Sequence, residues 1–201
     1  MAAPEAALSA DQTGGMARRI VGIAGAPGAG KSTYAERLVA DSDVPAVHVP
    51  MDGFHLADVS LRRLGLLDRK GAPETFDARG YAALLRRLRT ANETVWAPGF
   101  ERVLEQPLAG VIAIPPDVEL VVTEGNYLLL DRPEWRAVRD ALDQVWFLDA
   151  VDDVRRKRLV ARHVEFGKTA AEAEAWVTRV DEPNAALVLA SRDRADRWAS
   201  G

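Results

Sequence analysis

The sequence predicts an α/β fold in which a largely parallel sheet carries helices on both faces. Three observations point there. Short apolar, β-branched runs alternate with helical stretches along the chain. Those runs read as continuously apolar rather than alternating, the pattern of strands covered on both sides. A chain of 201 residues, 48% hydrophobic and 28% charged, can also bury a core large enough to stand without cross-links.

The elements follow in order. Residues 1–17 are rich in Ala, Gly and small polar residues and lack periodicity, so the spacing predicts a mobile tail. From residue 18 to 201 the chain reads as a single domain. RIVGIAG (19–25) is a first buried strand, Lys31 to Ala40 a helix, and AVHVP (46–50) a second strand stopped by Pro50. Residues 51–77 form a long excursion with one helical turn near Leu61–Leu67; excursions of this length in compact domains usually carry function. A helix over about 79–89 precedes a strand or hairpin, TVWAPGF and VIAI, broken by Pro98 and Pro107. ELVVTEG (119–125) is the next buried strand, and a helix around Pro133–Leu142 leads to the strand QVWFLD. The remainder is helical and arginine-rich, with a lid over about 152–180, and closes on ADRWAS as an edge strand.

Composition removes whole classes of function. No cysteine means no disulfide framework, no zinc ribbon and no thiol chemistry. A net charge of −4 argues against a nucleic-acid partner. No run approaches the ~18 apolar residues of a membrane span, and the first residues lack both a basic segment and a sustained apolar one. The expected location is therefore the cytoplasm, with no membrane partner and a homodimer allowed.

Gly25-Ala26-Pro27-Gly28-Ala29-Gly30-Lys31-Ser32 satisfies G-x-x-x-x-G-K-[ST], with Thr33 following. Glycines let the backbone form a nest of N–H groups around a phosphate, and the helix that follows adds positive potential. Lys31 would reach the β- and γ-phosphates, and Ser32 would ligate Mg²⁺. The motif sits where it must, directly between a strand and a helix. It predicts a P-loop nucleotide-binding fold: a three-layer sandwich around a mostly parallel five-stranded sheet, with a helical lid and a site for ATP or GTP.

Three users of such a site compete. A guanine-specific switch would carry N-K-x-D late in the chain, and none exists; Asp77-Ala78-Arg79-Gly80 matches D-x-x-G but does not follow a hydrophobic strand. Mechanochemical ATPases show a strand ending Asp-Glu, whereas here it ends Thr123-Glu124-Gly125. A kinase needs an acid facing the acceptor hydroxyl, an acid on the metal side, and mobile cations over the transferring phosphate. Asp52 follows the second strand, so it shares the carboxyl-end rim with the phosphate loop; Glu124 ends another strand there. Arg155, Arg158 and Arg162, spaced three and four apart, form one helical stripe, with Asp152 as the expected N-cap. His55, Arg69, Lys70 and Phe76 in the excursion would wall an acceptor pocket, and the basic pair suggests an acidic acceptor. A nucleotide-binding regulatory module with slow hydrolysis and no acceptor remains the alternative from another class.

GAPGAGKST (25–33), MDGFH (51–55), RKGAPETFDARGY (69–81), VVTEGNYLLL (121–130) and RLVARHVEFGK (158–168) together resemble the P-loop kinases that include uridine kinase, phosphoribulokinase and bacterial pantothenate kinase. Within them the pattern is most similar to the pantothenate kinases and to a bacterial branch described as nucleoside kinase-like or fructose kinase-like. The resemblance implies that Asp52 is the catalytic acid, with Lys31, Arg158 and Arg162 acting on the transferring group, and that ATP and Mg²⁺ are used. It places Glu124 at the metal beside Ser32. It also implies a substrate set of Asp52, His55, Arg69, Lys70, Phe76, Asp77, Phe100, Glu124 and Tyr127. Asp77 has a second reading, as N-cap of the helix it precedes. Glu105 stands where uridine kinases carry a base-recognising histidine, and the closing segment DEPNAALV holds Asn184 but no aromatic residue. The acceptor implied is a small molecule: a sugar, a nucleoside or a pantothenate-like alcohol.

Overall fold

The computed structural model describes residues 18–200, so the tail expected over 1–17 lies outside them. β1 (Arg19–Ala24) sits at the centre of a five-stranded sheet because both of its neighbours are parallel and it is buried along nearly its whole length. On one side β5 (Leu120–Gly125) pairs with it and then with β2 (Ala46–Pro50). On the other side β6 (Gln144–Asp149) pairs with β1, and β7 (Arg197–Ser200) closes the edge against β6. All four pairings are parallel, so every carboxyl end points to the same rim.

Successive strand residues point to opposite faces, and the two faces hold different cores. Ile20, Val121 and Phe147 face a large cluster with Tyr81, Leu85 and Leu88 of α3 (Ala78–Thr90) and Trp135 of α4 (Pro133–Arg139). Val21, Ile23, Val122 and Leu148 face a smaller one with Ala35, Tyr34 and Leu38 of α1 (Lys31–Ala40). Helices on both sides of one sheet make the three layers expected. The start of β1 is tied down by Arg18, whose guanidinium donates to the carbonyls of Val118 (2.8 Å), Leu88 (2.6 Å) and Pro115 (3.0 Å).

Outside the sheet, the excursion contains α2 (Asp58–Leu64), slightly earlier in the chain than the turn expected, flanked by short 3₁₀ turns at Met51–Phe54, Leu67–Arg69 and Pro73–Thr75. The expected hairpin is β3 (Val95–Glu101) against β4 (Gln106–Ile114), with a register shift between Ala97 and Gly99 around Pro98. Gly53 is required where this hairpin meets the excursion: a Cβ there would lie 2.3 Å from the Pro98 carbonyl oxygen. The lid region comprises α5 (Asp152–Glu165), α6 (Ala170–Trp176), a π-type turn over Val177–Asp181, and α7 (Glu182–Ala190).

Two local expectations change. Asp152 is the first residue of α5 and Val151 precedes it as N-cap, so its side chain does not cap. Its carboxylate instead binds Arg155 at 2.7 Å, and Arg155 reaches Glu182 of α7 at 2.8 Å. The arginine stripe therefore divides: Arg155 is buried as a strut between α5 and α7, Arg162 lines the cleft, and Arg158 approaches the phosphate loop at the Ala29 carbonyl.

Candidate active site

The phosphate loop leaves β1 and turns into α1 through Gly28 and Gly30, whose φ values of 79° and 95° are open to glycine and costly to other residues. At Gly28 space is limiting too, since a Cβ would lie 2.5 Å from the Arg155 carbonyl oxygen of α5. The loop and the lid thus touch through bare backbone. Lys31, buried on the first turn of α1, donates to the Ala26 carbonyl (3.2 Å) and to Asn126 Oδ1 (2.7 Å) just beyond β5. Burial lowers the Lys31 pKa, opposed by Glu124 and Asp52 and reinforced by Arg162.

Glu124, at the end of β5, accepts a hydrogen bond from Ser32 Oγ at 3.0 Å. Burial and the nearby Asp52 carboxylate raise its pKa, while Lys31 and Ser32 act the other way. Asp52 stands on the 3₁₀ turn after β2. Burial alone would raise its pKa, but His55, Arg102, Arg162 and Lys31 outweigh that and hold it below its ordinary value. Arg102 Nη2 donates to Asp52 Oδ2 at 2.8 Å. His55 Nδ1 lies 2.9 Å from the Asp52 carbonyl oxygen, and burial lowers the imidazole pKa, opposed by Asp52 and reinforced by Lys70 and Arg102. Asp52 is accordingly an anion at neutral pH.

A cavity of about 910 Å³ joins Lys31, Asp52, His55, Arg102 and Arg162, while Ser32, Glu124 and Arg158 are not among its lining residues. Its volume is in the upper range for small-molecule sites and leaves room for two ligands. Pro27, Gly28 and Lys31 of the phosphate loop line it together with Asp52, His55, Phe76, Phe100 and Lys70. The lid contributes Arg162 and, further along, residues from α6 and α7. Phe76 packs on His55 with ring centroids 3.9 Å apart, and Phe100 lies 5.0 Å from the same ring, so this wall of the cavity is an aromatic patch.

Other expected residues are placed elsewhere. Asp77 is exposed and accepts from the Gly80 N–H at 2.8 Å, so it caps α3 and does not line the cavity. Arg69 pairs with Glu74 at 2.7 Å on the outer surface. Tyr127 is fully buried and donates to the Gly71 carbonyl at 2.5 Å, holding the excursion from behind rather than facing a ligand. Lys70 does line the cavity, but Asp58 at 2.7 Å and the Glu105 carbonyl engage its ammonium. Conversely, sequence reasoning passed over Arg102 and Asn126. Both sit two residues from positions already singled out, Phe100 and Glu124, but nothing in local spacing distinguishes a side chain that pairs across a cleft.

The model of the Phosphoribulokinase / Uridine kinase family matches residues 20–196. The chain belongs to this family. It is a P-loop kinase, a phosphotransferase whose acceptor is an alcohol of a small molecule, as the motifs suggested. Escherichia coli K12 YggC, a protein without an assigned activity, is 35% identical over 195 residues, covering 94% of this chain and 81% of its own. The pantothenate kinase of Mycolicibacterium vanbaalenii is 30% identical, over 87% of this chain and 58% of that enzyme. The crystal structure of a provisionally named fructose transport system kinase from Silicibacter sp. TM1040 superposes with a TM-score of 0.84 at 39% identity, covering 91% and 90% of the two chains.

Proposed function

We propose that this family member transfers the γ-phosphate of ATP, with Mg²⁺, to a hydroxyl of a sugar, nucleoside or pantothenate-like metabolite. The observation that carries this reading is that Lys31 and Asp52 line one cavity, an ionised carboxylate opposite a phosphate-binding loop. The loop amides of residues 25–33 and the Lys31 ammonium hold the triphosphate. Ser32 and Glu124, hard oxygen donors 3.0 Å apart, fit Mg²⁺ and would hold it together with water and phosphate oxygens. The ion supplies charge neutralisation between the phosphates.

Asp52 orients the acceptor hydroxyl and receives its proton as the oxygen attacks, while Arg102 keeps the carboxylate ionised and fixed in rotamer. Arg158, whose Nη1 approaches the Ala29 carbonyl at 3.5 Å, and Arg162 close over the transferring group and exclude water. His55, Phe76 and Phe100 position the acceptor. Little covalent chemistry is asked of the protein, so placement and charge stabilisation supply most of the acceleration. Coupled ADP release, measured with and without a panel of sugars, nucleosides and pantothenate, tests the reading. Acceptor-dependent stimulation is expected; flat hydrolysis indifferent to every acceptor would overturn it.

A further inference from the structure

The cations around the cavity fall into two groups. Lys70 is engaged by Asp58 at 2.7 Å, Arg62 approaches the same carboxylate at 3.8 Å, and Arg102 is bound to Asp52 at 2.8 Å. On the lid side Arg162 forms no ion pair within 4 Å among the described residues, and neither do Lys168 and Arg179, although the Lys168 charge adds to the Thr169 hydrogen bonds that lower the pKa of Glu172. Both instead pack on one indole: Lys168 Nζ is 4.9 Å and the Arg179 guanidinium carbon 5.4 Å from the Trp176 ring centroid. Each cation is attracted to the indole face, and with no carboxylate within 4 Å of either among the described residues, their combined charge is left to attract an anion entering the cavity. A neutral sugar or nucleoside carries no anionic group. Of the carboxylates at hand, Asp181 is bound to His163 at 2.8 Å, Glu172 is engaged by Thr169 at the start of α6, and Asp68 and Glu105 on the acidic wall are exposed.

We propose that the acceptor is an alcohol bearing a carboxylate or phosphate, and that Lys168 and Arg179, braced on Trp176, receive that anionic group while its hydroxyl reaches Asp52. This rests on the kinase reading above and narrows it. It also relocates the basic site: the pair Arg69–Lys70 that the sequence offered is neutralised, and its counterpart lies across the cavity on the lid. An anion bound there ties α6 and α7 to the acceptor, so acceptor binding favours lid closure.

The test uses matched acceptors with and without the charge: glycerate against glycerol, pantothenate against pantothenol, and ribose 5-phosphate against ribose. Phosphotransfer is followed by ADP release, and binding by calorimetry on protein loaded with Mg²⁺ and a non-hydrolysable ATP analogue. At least one anionic member should react or bind at least roughly tenfold better than its neutral partner, the carboxylate and phosphate pairs showing which anion is preferred. Lys168→Gln with Arg179→Gln should raise the KM of that member at least roughly tenfold and leave the KM for ATP within about twofold. Asp68→Asn with Glu105→Gln should leave the preference intact. Equal use of neutral partners, an unchanged KM in the lid variant, or an identical effect from the acidic-wall variant overturns the proposal, the last by showing a latch between lid and wall. Binding of anionic members that depends on Lys168 and Arg179 without any phosphotransfer would keep the anion site and sink the kinase reading. Absence of both binding and turnover across the panel overturns the anion site.

Discussion

A carboxylate performs acid–base work at neutral pH only if its surroundings keep it charged, and Asp52 is surrounded for that purpose. Burial pushes its pKa up, while His55, Arg102, Arg162 and Lys31 pull it further down. Asp52→Asn should lower kcat by roughly 10²–10⁴-fold, the usual scale for a positioned acid–base group, with ATP-analogue binding preserved in calorimetry. The sign of the pH dependence follows. With its pKa depressed, Asp52 stays ionised down through the ordinary carboxylate value of ~3.9, so kcat/KM should show no acid loss from this group between about pH 5 and 7. Arg102→Gln removes a cation that lowers the pKa, so the acid limb should move to higher pH. A limb that stays in place in that variant would mean that Arg102 does not tune Asp52.

At the scale of elements, capping and strutting separate residues that sequence spacing groups together. Asp77 and Asp52 both lie in motifs shared with known kinases, yet only one faces the cleft. Asp77→Ala should therefore cost about 1 kcal/mol of stability through the lost α3 cap and leave KM values unchanged, measured by denaturant melts beside steady-state kinetics. Arg155 presents the complementary case. It belongs to the same helical stripe as Arg158 and Arg162 but holds Asp152 and Glu182 within the lid. Arg155→Ala leaves the half-buried Glu182 without its cation, and faster proteolytic cutting within 152–190 is expected. Arg158→Ala, lacking that strut, should depress turnover without faster cutting.

For the whole molecule, the parallel sheet brings loop ends distant in sequence to one rim. Residues 25–33, 52, 124 and 126 meet there because β1, β2 and β5 all end on the same side, and the β3–β4 hairpin brings Arg102 to Asp52. The same geometry couples ligand binding to global stability: an ATP analogue at about 100 times its Kd should add about 2.7 kcal/mol, seen as a rise in Tm. Lys31→Ala should remove most of that rise while the unliganded Tm changes little. A full shift in that variant would place the nucleotide somewhere other than over the phosphate loop.

The sequence by itself determined the order of strands and helices, the phosphate loop and the rim position of Asp52 and Glu124, because each follows from local periodicity or from a motif with one mechanical use. The helical, arginine-rich character of the segment after residue 152 was legible for the same reason. Which charges remain unneutralised was decided only by tertiary structure. Arg69 and Lys70 read as an acidic-ligand site until Glu74, Asp58 and the Glu105 carbonyl arrive from other segments. Arg102 and Asn126 gain their roles from partners 50 and 95 residues away. Pairing across space is set by how strands and loops pack, and local spacing carries no record of it.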